Sequence, residues 1–215
     1  PLERRAHGRT PLMLAVAHGH DDLARRLVES GAVCDLHSAA SLGDLSALDT
    51  VTSANVDDAD ALGRAPLWFA SLRGHTACAE LLIELGADVD RLDNRRGTAL
   101  QVACEHGHEA VAAKLIRECT TVSHQDEDGE TALLLACKHG HAALARMLLL
   151  ASGGRAALNK ANRRGATALL LAVAGGHIDA ARALLAIDGV DVDHPDRFGC
   201  TALCVAAAAG SDLLE

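Results

Sequence analysis

The chain has 215 residues, 49% of them apolar, and a formal net charge of −9. Aromatic residues make up only 1% and tyrosine is absent, so any core must be aliphatic. The charge has the wrong sign for a protein whose main ligand is a nucleic-acid phosphate backbone. Uninterrupted apolar runs such as 142–145 and 147–151 fall far short of the roughly 20 residues that a membrane helix needs.

In chain order, one pattern recurs: Gly-x-Thr-(Pro/Ala)-Leu-x-x-Ala-x-x-x-Gly-His. Its first copy, 8–20, places Thr10 to cap a short helix and Pro11 in the first helical turn. A second copy, around Leu36, follows so closely that 31–35 has no room for a full connecting finger, and this first junction should bend or close abruptly. The third copy, 63–75, has Ala65 for threonine and Pro66 behind it, and precedes a longer helix over 77–85 with Leu81, Leu82 and Ile83 toward the core. The fourth, 97–108, is one residue shorter at its start. Arg96 stands where a finger glycine is expected, and Cys119 where a helix-ending glycine is expected. The fifth spans 129–141. Three residues are added near 151–154, a loop composition, before the sixth at 165–177. A seventh begins at Gly199, and its second helix opens at Leu213 and Leu214 and is cut by the chain end, so this last repeat should fray.

Anchored on their leucines, the copies sit at Leu12, Leu36, Leu67, Leu100, Leu133, Leu169 and Leu203, with spacings of 24, 31, 33, 33, 36 and 34. Three residues after each anchor comes an alanine, small enough for a neighbouring helix to approach closely. Seven residues after it comes a glycine, able to take the positive φ that ends a helix. No single copy can bury its apolar face alone, so neighbours must stack.

At these residues, and in segments such as 126–133 and 86–90, the chain resembles the ankyrin-repeat family over nearly its whole length. The resemblance implies an all-α ankyrin-repeat solenoid, one domain over 1–215, of six to seven helix-turn-helix repeats with β-hairpin-like fingers. It further implies binding on the concave side made by finger tips and first helices. The candidate contacts there are Arg64, Trp68 and Arg73; Arg95, Arg96, Glu105 and His106; Lys138 and His139; Arg163 and Arg164; and Phe198 on the last finger.

Twelve histidines, including the triplets 18–20, 106–108 and 139–141, raise the question of a metal. In each triplet the second histidine belongs to the repeat signature, where the resemblance implies hydrogen bonding to backbone, and no metal site is expected. Cys104 and Cys137 hold equivalent places in adjacent repeats and read as small core residues. The chain lacks a phosphate-cradling G-x-x-x-x-G-K-[ST], an H-E-x-x-H and a G-x-S-x-G, so neither enzymatic activity nor a cofactor is expected.

Seven cysteines, an odd number without close pairing, fit a reducing compartment, cytoplasm or nucleus. The chain begins at Pro1 without a signal-peptide pattern and reads as a piece of something longer, monomeric by itself. The function expected is protein–protein interaction within an intracellular scaffold or adaptor, with a substrate receptor of a ubiquitin ligase as one specific form. The regulatory arm of a larger enzyme or channel is the alternative. Arginines gathered at finger and first-helix positions point to an acidic or phosphorylated partner segment.

Overall fold

The computed structural model describes residues 10–32, 34–52 and 54–210. Gly8 at the start of the first copy, Val33 in the short first junction and the Leu213–Leu214 pair lie outside the described residues. Thr10 opens α1 (Pro11–Ala17) by accepting a hydrogen bond from the backbone N–H of Met13. Asp35 does the same for α3 (Leu36–Leu42), as do Thr98 for α6 (Ala99–Glu105), Thr131 for α8 (Ala132–Lys138), Thr167 for α10 (Ala168–Ala174) and Thr201 for α12 (Ala202–Ala209). Each side-chain oxygen satisfies an N–H that the first helical turn would otherwise leave unpaired. α4 (Pro66–Arg73) starts instead from Ala65, which makes no such bond, with Pro66 in its first turn, where a missing N–H costs nothing.

Between the first helices run their partners: α2 (Asp21–Glu29), α5 (Thr76–Glu84), α7 (Glu109–Glu118), α9 (Ala142–Leu150) and α11 (Ile178–Leu185). Of the three residues expected to face inward in α5, Leu82 is fully buried and Leu81 and Ile83 are half-buried. The described residues form twelve α-helices and no strand. The fingers are therefore tight turns rather than strand pairs. Each is closed at its base by one backbone bond, such as Asp60 N–H to the Arg64 carbonyl and Asp93 N–H to that of Gly97, both 3.0 Å. Neighbouring fingers are tied tip to tip: Asn94 N–H donates to Leu62, Glu127 to Arg95, Arg163 to Asp128 and Arg197 to Arg164, at 2.8–3.0 Å. Arg96 holds a φ of 61° in this turn, the left-handed geometry glycine occupies in the other fingers.

The repeats are locked together by histidine. Nε2 of His75 donates to the Ser41 carbonyl at 3.0 Å, and the same bond recurs from His108 to Leu72, His141 to Glu105 and His177 to Lys138. A carbonyl only accepts, so Nε2 carries the proton. Each accepting carbonyl lies in the last turn of the preceding first helix, where intrahelical donors run out. The ring reaches it by lying against the turn glycine of that preceding repeat. A Cβ on Gly74 would stand 2.4 Å from His108 Nδ1, and one on Gly107 2.6 Å from His141 Cε1.

The departures from period read in the sequence have distinct outcomes. Where the finger is missing, Asp35 leads straight into α3, and the core divides. Leu12, Ala15, Val16 and Ala24 form a cluster of their own, while the rest of the described core is continuous from Ala39 to Ala206. The second repeat has a 3-10 turn (Ala47–Thr50) in place of a second helix, with Leu48, Val51 and Val56 filling the space. The three added residues become a turn ahead of a second 3-10 segment (Gly154–Ala157), where a Cβ on Gly154 would stand 1.7 Å from the Leu148 carbonyl oxygen.

Ala103 and Ala136 are completely buried between first helices. Replacing either with leucine should overpack that contact and cost about 1–3 kcal/mol in urea melts. Gly74 and Gly86 have φ of 73° and 93°, but nothing lies within 4 Å of a Cβ at Gly86. Gly86→Ala should therefore lose only the left-handed backbone term, about 1–2 kcal/mol. Gly74→Ala should lose measurably more, and the excess should vanish in the His108→Ala background, a non-additivity that a double-mutant cycle reads directly.

Candidate functional site: the concave groove

The residue two positions after each anchor leucine points to the finger side of the stack. From α4 to α10 these are Phe69, Val102, Leu135 and Leu171, an apolar strip one residue wide. Over Val102, Leu135 and Leu171, the fingers form the wall of a groove of about 560 Å3. Its polar lining is balanced: Arg64, Arg95, Lys138, Arg163 and Arg164 face Asp93, Glu105, Asp126, Asp128 and Glu130.

Several of these charges are already engaged. Arg64 grips Asp60 through Nε at 2.9 Å and Nη2 at 2.5 Å, and its guanidinium lies over the rings of Trp68 and Phe69, 4.8 and 4.7 Å from their centroids. Burial alone would raise the Asp60 pKa, but hydrogen bonds from Arg64 and from the Leu62 and Arg64 N–H groups hold it below its usual 3.8. Arg95 pairs with Asp128 on the next finger. The side chains of Lys138, Arg163 and Arg164 are exposed and make neither a hydrogen bond nor an ion pair to another described side chain. They are the groove's uncommitted cations.

Of the residues singled out in the sequence, the groove brings together Arg64, Trp68, Arg95, Glu105, Lys138, Arg163 and Arg164. Trp68 packs edge-on against Phe69, and its indole N–H is buried without a hydrogen-bond partner. Arg73 sits toward the first repeat, donating through Nη2 to the Val16 carbonyl at 2.8 Å. His106 is exposed and bonds through Nδ1 to its own helix at the Val102 carbonyl, while His139 lies 3.9 Å from the Glu105 carboxylate. Arg96 is an exposed finger residue outside the groove lining, and Phe198 stands 84% exposed on the last finger. Among the described residues no group of three His, Cys, Asp or Glu side chains could hold a metal ion. Cys104 and Cys137 are fully buried, and burial raises both thiols, that of Cys137 to about 12.

Sequence reasoning passed over Glu130. Its Oε1 accepts from Asn162 Nδ2 at 3.0 Å, its Oε2 is buried without a partner, and burial raises its pKa above the usual 4.5. The signal was its place at the foot of a finger, directly before the capping threonine, where a carboxylate must turn either into the groove or under the next finger.

A stack of capped helix pairs, stitched through fingers and histidines and grooved along one side, is a repeat solenoid. The sequence matches the profile for ankyrin repeats (three copies) over 36–126, 111–196 and 150–215, and that for a single ankyrin repeat over 7–39. The chain belongs to the ankyrin-repeat family. It is 36% identical over 88 residues to mouse protein fem-1 homolog A-like, and 40% and 38% identical over 73 residues to the inversins of chicken and mouse. Those alignments take in 36%, 33% and 33% of this chain, but only 14% of the first relative and 7% of each inversin. Among solved structures, a chain from the complex of a predatory endopeptidase of Bdellovibrio bacteriovorus with an immunity protein superposes with a TM-score of 0.71 at 27% identity. That match covers 81% of this chain and 91% of the other. Among the described residues no helix is long and apolar enough to cross a membrane.

Burial holds His108 below its ordinary 6.5 despite the Leu72 carbonyl, and holds His139 below it despite Glu105. For both, the unfolded chain takes up the proton more readily than the folded one. Their stabilising contribution is thus complete above about 6.5 and lost as pH falls through the lower folded values. Glu130, with its pKa raised, acts in the opposite sense nearer pH 4.5. The melting temperature should fall between pH 7.5 and 5.5, and calorimetry on His108→Asn should show a shallower decline than the parent.

Proposed function

We propose that this chain is a protein-interaction module of an intracellular scaffold or adaptor, and that it takes an extended, acidic or phosphorylated segment of its partner along the concave groove. The observation that carries this reading is the trio Lys138, Arg163 and Arg164, exposed cations that close no ion pair with a described side chain in a groove where Arg64 and Arg95 are already engaged. Guanidinium pairs carboxylate or phosphate through two parallel bonds, and the balance of the remaining lining charges sets the register of a bound segment. The apolar strip beneath supplies contact area. Seven free thiols, three of them buried, accord with residence in the cytoplasm or nucleus. No catalytic role is assigned to the chain, and a substrate receptor of a ubiquitin ligase is the narrower form of the same proposal.

Because Arg95 already bridges to Asp128, charge reversal there would also break a contact between fingers. The cleaner test is Arg163→Glu with Arg164→Glu, two exposed side chains without intramolecular partners. Captured partners should bind at least about tenfold more weakly, with a flatter salt dependence and a melting temperature nearly unchanged. Co-capture of ubiquitin-ligase subunits by the parent protein would support the narrower form. Affinity unchanged in a stably folded double variant would remove the groove as the docking site.

A further inference from the structure

The residue at the foot of each described finger holds its turn in the same way. Oδ1 of Asp60, Asp93, Asp126 and Asp196 accepts from the backbone N–H groups two and four residues on. In the sixth repeat the foot is Asn162, whose Oδ1 accepts from Arg164 and Ala166 at 2.9 and 3.0 Å. This finger keeps the turn without the carboxylate. The amide Nδ2 instead donates to Glu130 Oε1 at 3.0 Å, engaging the acid beneath it. An aspartate at 162 would set two carboxylates against each other and place a negative charge two residues from Arg164.

With the internal pairs set aside, the charges left in the groove change sign along its length. Arg64 is closed by Asp60 and Arg95 by Asp128. Asp93 and Glu105 remain in the fourth repeat, Asp126 and Lys138 in the fifth, and Arg163 and Arg164 in the sixth. Asp93 and Asp126 close no ion pair with a described side chain, and Glu105 faces His139 at 3.9 Å. The lining is neutral in sum and polarised in arrangement, so its complement is defined by the separation of charge and not by an excess of either sign. We propose that the groove takes a bipolar segment, with Lys or Arg against Asp93 and Glu105 and with Asp or Glu on Arg163 and Arg164, and that Asn162 is the residue that fixes the anionic end. This rests on the concave-groove reading above and deepens it by naming the second charge of the partner. Repeats stack about 10 Å apart, so the two poles lie about 20 Å from each other. An extended chain covers that distance in about six residues. A reversed segment would set like charges together, which selects one direction of binding.

The test pans a displayed library of random peptides about twelve residues long on the whole chain, enough to reach both poles. Synthetic copies of the enriched peptides are then measured on the parent and on Asn162→Asp, Arg163→Glu/Arg164→Glu and Asp93→Asn/Glu105→Gln. Asp93→Asn copies the foot that the sixth finger already uses, so that turn is kept, and the arginine variant probes the anionic end even if Asn162→Asp does not fold. The parent should enrich peptides with a basic and an acidic residue about six positions apart, in one order. Their copies should lose at least about fivefold in affinity on each variant, and exchanging the two charges within a peptide should lose as much on the parent. Replacing the acidic residue of a peptide with glutamine should erase the effect of Asn162→Asp but not that of Asp93→Asn/Glu105→Gln. Enriched peptides that are acidic throughout, weakened by the arginine changes but not by Asp93→Asn/Glu105→Gln, would overturn the bipolar segment and leave the concave reading standing. Affinity unchanged on a folded Asn162→Asp would overturn the role of Asn162. Peptides weakened by none of the variants, or no enrichment at all, would overturn both readings.

Discussion

The bond from a histidine ring to the last turn of the preceding first helix governs the geometry of the stack. Short helices of seven or eight residues cannot persist by themselves in water, and their terminal carbonyls have no internal donors. His75, His108, His141 and His177 each satisfy one such carbonyl and in doing so set the distance and rotation between successive repeats. The packed alanines and the turn glycines follow from that bond. Ala103 and Ala136 are small because the clamp brings helices close, and Gly74 and Gly107 lack a side chain because the ring lies where a Cβ would be. A histidine pattern that suggests a metal is therefore accounted for by the backbone of the neighbouring repeat.

Much of the fold could be read directly from residues. Threonine caps, turn glycines and core alanines have local causes, and a period near 33 ties them to a stack. The missing finger, the added turn and the left-handed Arg96 were also visible, as breaks in that period. What was not visible was any consequence that depends on two distant segments. The 3-10 turn at Ala47–Thr50 stands where the other repeats place a second helix, and the divided core arises because no finger bridges the first junction. The site was half legible for the same reason. Finger positions identified Arg64, Arg95, Arg163 and Arg164, but only coordinates separate the arginines that already hold a carboxylate from those that do not. Glu130 was overlooked because its importance lies in what surrounds it rather than in its type.

On the proposed reading, the groove divides labour along its length. Near the third and fourth repeats, Arg64 closes an ion pair with Asp60 and covers the rings of Trp68 and Phe69. Toward the sixth repeat the cations are free. A ligand lying across both meets a shaped region first and an electrostatic one second. Such an arrangement separates how fast a partner arrives from how long it stays, since long-range charge acts on encounter and buried contact on release.

The separate cluster of Leu12, Ala15, Val16 and Ala24 has a mechanical consequence. The first repeat carries none of the histidine clamps seen farther along, and Arg73 to the Val16 carbonyl is a principal polar tie across the junction. A load applied to the chain ahead of Thr10 would peel away α1 and α2 while the continuous remainder stayed intact. Met13 and Val16 would leave with them, while the arginine end of the groove stayed undisturbed.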